Sequence, residues 1–311
     1  MFKLHACCFP VKGAERSLIY DIQRGSYEFI PNDLYEMLIN YNSVVEIKKS
    51  YDNQVVDEYF AFLEEKEFIT YLDGDFPEID LSFRFPGVVS NAVIAVPEKR
   101  MFGFERVIGQ LSELGCRDIQ LIYPFDVKLE TVMEDLSYLQ SFKSIEIITP
   151  FLDKEHEIVS LVKEEKRIAY WLLHSAPESR LMNEPYYGIQ SVFSTIETFD
   201  HRVRCALRDE SFFNISMTLF TEAHHYNVFY NGKVCIDERG EVQNAFWGPT
   251  FGNINETALE EIISGNFKDI WLLKKDDIEG CRECEFRYMC PDNRLDLKES
   301  CKYNPYTMEW K

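Results

Sequence analysis

From residue 88 onward, short apolar runs alternate with amphipathic stretches. NAVIAV, DIQLIY, SIEIITPF and RIAYWLLH are apolar almost throughout, the texture of strands buried on both faces. Between them FERVIGQLSELG, LETVMEDLSYLQSF and KEHEIVSLVKEEK space their apolar residues as helices do, and Gly115 ends the first of these. Four strands alternating with helices predict βα units, a parallel sheet and an α/β fold.

The first 73 residues follow a different plan, strands first and helices after. LHACCFPV reads as a strand, and RSLIYDIQRGSYEFIP as a hairpin turning at Arg24-Gly25. Pro31-Asn32-Asp33 supplies a helix start before LYEMLINY. NQVVDEYFAFLEEKEFI repeats apolar residues at helical spacing through Val55, Val56, Tyr59, Phe60, Phe62 and Leu63. This is the order of a small winged-helix-like module. DGDFPEIDLSFRFPG, punctuated by Gly74, Pro77 and Pro86, reads as a linker. From about residue 211 the pattern becomes mixed strands and turns. VFYNGKVCIDERGEVQNAFW reads as a hairpin turning at Glu238-Arg239-Gly240, and a helix and a cysteine cluster follow.

Composition narrows the function classes. At 311 residues, two or three domains are expected, and 46% hydrophobic with 14% aromatic residues is enough for real cores. The formal net charge of −20 argues against nucleic acid and against anionic membrane surfaces. No apolar run approaches the ~18–20 residues of a membrane span. The opening MFKLHACCFPVKG lacks a long apolar region and a small-residue cleavage site, so a cytoplasmic, reducing location is expected. There, nine cysteines read as metal ligands or core residues rather than disulfides.

Four of them cluster as Cys281-x2-Cys284-x5-Cys290-x10-Cys301. A C-x-x-C turn brings two thiols to one metal, and Cys290 and Cys301 complete a four-thiolate shell suited to zinc or iron–sulfur. Cys7 and Cys8, adjacent in an expected strand, should point to opposite faces and not share a pocket. Cys116, Cys205 and Cys235 read as core residues, and His224-His225 as a surface or core pair. GxGxxG, GxxxxGK[ST], HExxH and GxSxG are all absent.

FGNINETALEEI (251–262), CRECEFRYMC (281–290) and CKYNPYTMEW (301–310) together resemble the SPASM region of radical-SAM peptide-modifying enzymes. The resemblance is nearest to the SPASM proteins of "grasp-with-spasm" (graspetide-type) systems, encoded beside an ATP-grasp ligase and a short ribosomal precursor peptide. It implies a degenerate radical-SAM-like partial (β/α) barrel over 88–222. It also implies a winged-helix-like leader-recognition module over 1–73, a linker over 74–87 and a SPASM-like metal region over 223–311. A full SPASM region holds two auxiliary clusters on seven cysteines. Here Phe229, Ala245 and Arg294 stand at three of those positions, so one ligand set is lost whole and the other is kept whole. The C-x3-C-x2-C of the radical site is missing after NAVIAV, where VPEKRMFGFERV runs instead, and no cysteine occurs from 9 to 115. No S-adenosylmethionine chemistry is therefore expected.

The resulting expectation is a ribosomal-peptide maturation protein without radical catalysis. It binds the precursor's leader region and assists a partner ATP-grasp ligase. The competing readings are an enzyme of other chemistry, drawing on His224, His225 or Glu256 at the barrel mouth, and a metal-stapled interaction protein. For Cys281, Cys284, Cys290 and Cys301 the resemblance implies one [4Fe–4S] cluster, and the spacing lacks the second C-x-x-C knuckle common in four-cysteine zinc sites. Zn²⁺ is the alternative, because without a radical site the cluster has no redox task and zinc staples a fold equally well.

Overall fold

A computed structural model of the chain describes residues 1–71, 76–99, 103–183, 190–200, 213–294 and 301–311; Cys205 lies outside them. Strands β1 (Lys3–Leu4), β2 (Cys8–Val11), β3 (Arg16–Asp21) and β4 (Ser26–Pro31) precede helices α1 (Asn32–Asn40), α2 (Val44–Ile47) and α3 (Asn53–Glu65), then strand β5 (Ile69–Thr70). The middle of the chain runs β6 (Asn91–Ala95), α4 (Phe104–Glu113), β7 (Asp118–Ile122), α5 (Leu129–Ser137), β8 (Ser144–Pro150), α6 (Glu155–Glu164), β9 (Ile168–His174), β10 (Arg180–Leu181) and β11 (Ser191–Ser194). Helix α7 (Met217–His225), strands β12 (Lys233–Ile236), β13 (Glu241–Gln243) and β14 (Thr250–Asn253), helix α8 (Leu259–Ser264) and hairpin strands β15 (Tyr303–Asn304) and β16 (Glu309–Trp310) follow. Contacts gather these into two units. The first joins Met1–Phe83, Ala206–Phe229 and Trp271–Lys311; the second joins Arg84–Cys205 and Tyr230–Ile270. The C-terminal stretch 223–311 thus contributes to both.

The second unit is α/β, built on a nine-stranded sheet in the order β10-β11-β9-β8-β7-β6-β12-β13-β14. The six strands from β11 to β12 pair parallel, and β10, β13 and β14 join antiparallel at the two ends. Each helix between parallel strands buries one stripe, as in α4, where Phe104, Val107, Ile108 and Leu111 repeat at i, i+3, i+4, i+7. The strands are less uniformly apolar than their sequences suggest. The C-terminal halves of β6, β7, β8 and β12 are buried, as in Ile147-Ile148-Thr149, but their N-terminal halves bring Gln120, Glu146 and Lys233 to one polar cavity, and β9 alternates along its length. Gln120 donates to Glu146 there at 2.6 Å. Cys116 and Cys235 are core residues whose thiols burial pushes up to about 12.

The first unit is organised by a three-stranded antiparallel sheet, β2-β3-β4, with Gly25 at positive φ in the loop after Asp21. Its central strand is buried on both faces. Ile19 points into a core with Leu34, Met37, Val56, Phe60 and Leu63 from α1 and α3. Leu18 and Tyr20 point the other way, into a second core with Phe220, Phe286, Met289 and Tyr303. Asp52 caps α3, accepting from the amides of Gln54 and Val55.

The structure corrects two expectations. LHACCFPV is not one strand: Lys3–Leu4 pairs with β5, Cys8–Val11 pairs with β3, and a turn closed by Cys8 N–H donating to His5 O separates them. The stretch after 211, expected as mixed strands and turns, contains helix α7. Ser216 caps it by accepting from Leu219 N–H, and Phe220 and Ala223 form its buried stripe. Among the described residues no helix is long and apolar enough to cross a membrane.

Gly115 ends α4 at φ +83°, and a Cβ there would stand 2.7 Å from Gly87 Cα. Gly109 lies inside α4, and a Cβ there would meet nothing within 4 Å. Gly115→Ala is expected to destabilise by about 2 kcal/mol or more. Gly109→Ala is expected to stabilise by about 0.5–1 kcal/mol. Urea midpoints of the two variants, which should move in opposite directions, provide the check.

Candidate metal centre

The cysteine segment is a string of tight turns. After a short 3₁₀ helix (Lys275–Asp277), Cys281 N–H donates to Ile278 O, Cys284 N–H to Cys281 O and Arg287 N–H to Cys284 O. Bonds of the i→i+3 kind set residues three apart on one side, which is how the C-x-x-C pair presents two sulfurs together. Cys290 follows at the end of this run, and Cys301 precedes β15. All four predicted residues, Cys281, Cys284, Cys290 and Cys301, line one cavity of about 210 Å³.

Burial raises the thiols of Cys284, Cys290 and Cys301, with Cys290 pushed up to about 12; near Cys284, neighbouring Cys290 adds to the effect. In a chain of net charge −20 the cavity is lined by the cations Lys275, Arg287, Arg294 and Lys311, with Glu279 the lone carboxylate among its lining residues. Lys275 is buried and donates to Asp292 O at 2.5 Å. Arg294, which stands where the resemblance expects a lost ligand, donates to Asp292 Oδ1 at 2.8 Å and lies 3.5 Å from Cys281 Sγ.

Four sulfurs around a cavity of positive lining suit a metal group that converts thiols to thiolates. Among the described residues, the group of three or more candidate ligand atoms within 4.8 Å of one another is Cys7, Cys8 and Asp21, not any three of these four sulfurs. One tetrahedral zinc with ~2.3 Å Zn–S bonds sets its sulfurs about 3.8 Å apart. A cluster holds its four cysteines farther apart, with iron and sulfide between them.

The segment is fastened to the β2-β3-β4 sheet through a buried ion pair that the sequence pattern does not announce. Glu285, between Cys284 and Phe286, has a side chain 0% exposed. Its Oε1 accepts from Arg16 Nε at 2.8 Å and from the Tyr303 hydroxyl at 2.5 Å. Tyr20 donates its hydroxyl to Glu285 O at 3.1 Å, and the Arg16 guanidinium lies 3.4 Å above the Phe29 ring. Backbone contacts reinforce the join: Ala14 N–H donates to Glu283 O, and Arg287 to Lys12 O. Gly13 permits it, because a Cβ there would stand 2.3 Å from Arg16 O and 3.0 Å from Glu285 Cβ. Nothing in sequence spacing pairs residue 16 with residue 285; the one available signal was an acidic residue set between cysteine and phenylalanine.

His224 and His225 occupy the last turn of α7 in the first unit, whereas Glu256 belongs to the second. His224 stacks on Tyr288 with centroids 4.0 Å apart and donates from Nδ1 to Phe220 O at 2.8 Å. Burial lowers its pKa and holds the ring neutral, a packing role. Cys7 and Cys8 depart from expectation in the opposite sense. They do not face apart: their sulfurs are 3.9 Å from each other, because Cys7 belongs to the turn and not to β2, so strand alternation does not govern it.

No protein-family model matches the sequence, and no curated protein matches it. Among solved structures the chain is similar to Streptococcus suis SuiB, solved bound to S-adenosylmethionine, at 10% identity. The alignment covers 94% of this chain and 95% of that one with a TM-score of 0.32, too low to establish a common fold.

Arg16→Ala leaves the Glu285 charge buried without its ion-pair partner, and a loss of roughly 3–5 kcal/mol is expected in denaturant unfolding. Adding Glu285→Gln to that variant removes the charge and should restore part of the loss. A double variant no more stable than Arg16→Ala alone would mean that the pair is not what holds this join.

Proposed function

We propose that this chain is a maturation protein for ribosomally made peptides. It holds the leader of a precursor on its first unit and assists an ATP-grasp ligase without radical chemistry. The single observation that carries the reading is the sheet β2-β3-β4, covered on both faces and paired to nothing further at β4 among the described residues. With its faces taken, the sheet has edges left to offer. Residues Ser26 to Phe29 of β4 are exposed or half-buried, and Lys66 at the end of α3 pairs with Glu28 of that strand. An extended peptide added beside β4 gains main-chain hydrogen bonds from the edge and side-chain contacts along α3.

The absence of cysteine from residue 9 to 115 supports the non-radical part of the reading. The four-cysteine cavity supports a bound metal group of structural use. In this reading Cys281, Cys284, Cys290 and Cys301 hold one [4Fe–4S] cluster. The match of these four positions to a complete auxiliary-cluster ligand set, and the lack of a second C-x-x-C knuckle, favour it over a single Zn²⁺. Bound there, the group cross-links the segment 281–301, while Lys275, Arg287 and Arg294 offset the charge of the thiolates.

Two measurements test this. Calorimetric titration with the precursor should give binding at least about tenfold tighter than with a scrambled peptide, and Phe29→Pro, which distorts the β4 edge, should abolish the difference. Equal affinity for both peptides removes leader recognition from the reading. Anaerobic purification should yield about four irons per chain with broad visible absorption. Cys284→Ser should lose the metal and raise amide exchange across residues 281–311, because small metal-held segments draw folding energy from the ion. One zinc and no colour would replace the cluster with zinc.

A further inference from the structure

A second group of metal-binding side chains lies in the first unit, away from the four-cysteine cavity. The turn His5-Ala6-Cys7-Cys8 brings the Cys7 side chain round beside that of Cys8, and Ile22 N–H donates to Cys7 O to hold the turn against the far end of β3. Cys8 is the cross-strand partner of Asp21, the last residue of β3. The two sulfurs and a carboxylate oxygen of Asp21 all lie within 4.8 Å of one another. Cys8 and Asp21 are buried, and Cys7 is half-buried.

The separations favour a shared ion. The sulfurs are 3.9 Å apart, far beyond a disulfide bond of about 2.05 Å and close to the ~3.8 Å that one tetrahedral ion with 2.3 Å metal–sulfur bonds imposes. Asp21 is already oriented: its Oδ1 accepts from the amides of Gln23 and Arg24, and its Oδ2 faces the Arg24 guanidinium at 3.3 Å. Such outer partners fix a ligating carboxylate and lower the cost of gathering negative charge. Cys7 and Asp21 also line a cavity of about 600 Å³ with His5, Arg24, Glu64 and Glu67.

We propose that Cys7, Cys8 and Asp21 bind one thiophilic divalent cation of the zinc class, with a fourth position open to this cavity. Two soft sulfurs and one carboxylate are a donor set for zinc rather than for magnesium or calcium. On binding, each thiol releases its proton to solvent, two per cation, while the carboxylate enters ionised. The three ligands carry −3 against +2, and Arg24 faces the remaining charge. The open position takes water or a donor atom from a bound molecule, as three-ligand zinc sites do.

Cobalt(II) is the probe, because tetrahedral thiolate coordination gives it intense near-ultraviolet and visible bands. The full-length chain with Cys281, Cys284 and Cys290 all replaced by Ser, reduced and anaerobic, leaves one thiol in the four-cysteine cavity and so isolates this site from it. It should bind one Co²⁺ per chain with those bands and release about two protons per ion in weakly buffered titration. Adding Cys7→Ser or Asp21→Asn should weaken binding by at least about tenfold, with far-ultraviolet circular dichroism unchanged. Cys7 is half-buried, so its replacement tests the site even if Cys8→Ser fails to fold. Undiminished Co²⁺ binding in both variants overturns the proposal. So does a triple-serine chain that binds no cobalt, or a Cys7–Cys8 disulfide found by mass spectrometry in the anaerobic protein.

Discussion

A carboxylate with no exposure to water holds the first unit together. Glu285 has a side chain 0% exposed, and a charge so placed is tolerated only with a partner. Arg16 supplies it from the start of β3, Tyr303 donates to the same oxygen, and Tyr20 secures the backbone of the same residue. The positions of the neighbouring cysteines follow from this. Cys284 precedes Glu285 directly and Phe286 follows it into the core shared with Leu18 and Tyr20. The ion pair therefore sets the height of the cysteine turns over the sheet, and with it one wall of the cavity.

The same sheet explains why the unit offers edges rather than faces for recognition. Because β3 alternates Leu18, Ile19 and Tyr20 between two cores, both of its surfaces are consumed by packing. A single buried strand thereby separates the helices α1 and α3 from the cysteine segment. Binding a strand at β4 would touch Phe29, whose ring also lies under Arg16 and against Phe286 at 5.7 Å. The edge and the cysteine segment are joined by the ring contacts of Tyr27 and Phe29 with Phe286.

Much of the second unit was legible in the sequence. The runs NAVIAV, DIQLIY, SIEIITPF and RIAYWLLH became parallel strands β6 to β9, because local periodicity and apolar content decide such elements. The hairpin at Glu238-Arg239-Gly240 formed as expected, with Gly240 at positive φ. What was not legible depended on contacts distant in sequence. Helix α7 was obscured because its apolar stripe is short and ends in His224 and His225, which read as polar without Tyr288 to pack on. Spacing betrays the four cysteines, but not Glu285 and Arg16, since no period relates them. Cys7 and Cys8 escape the strand rule because Cys7 lies one residue into a turn.

The separation of 269 residues between Arg16 and Glu285 has a consequence for the order of assembly. Chain leaves the ribosome N-terminal end first, and domains form as they emerge. All of the second unit, through Ile270, is made before Glu285 exists. Until then Leu18 and Tyr20 of β3 have Phe220 available to pack on but lack Phe286, Met289 and Tyr303, the remainder of that core. A nascent chain thus carries an incompletely covered apolar strand face until its last stretch is made, which is the situation chaperones attend to. The stretch from Trp271 to Lys311 completes the first unit, and termination directly after Ile270 would leave the whole α/β unit attached to an incomplete, aggregation-prone one.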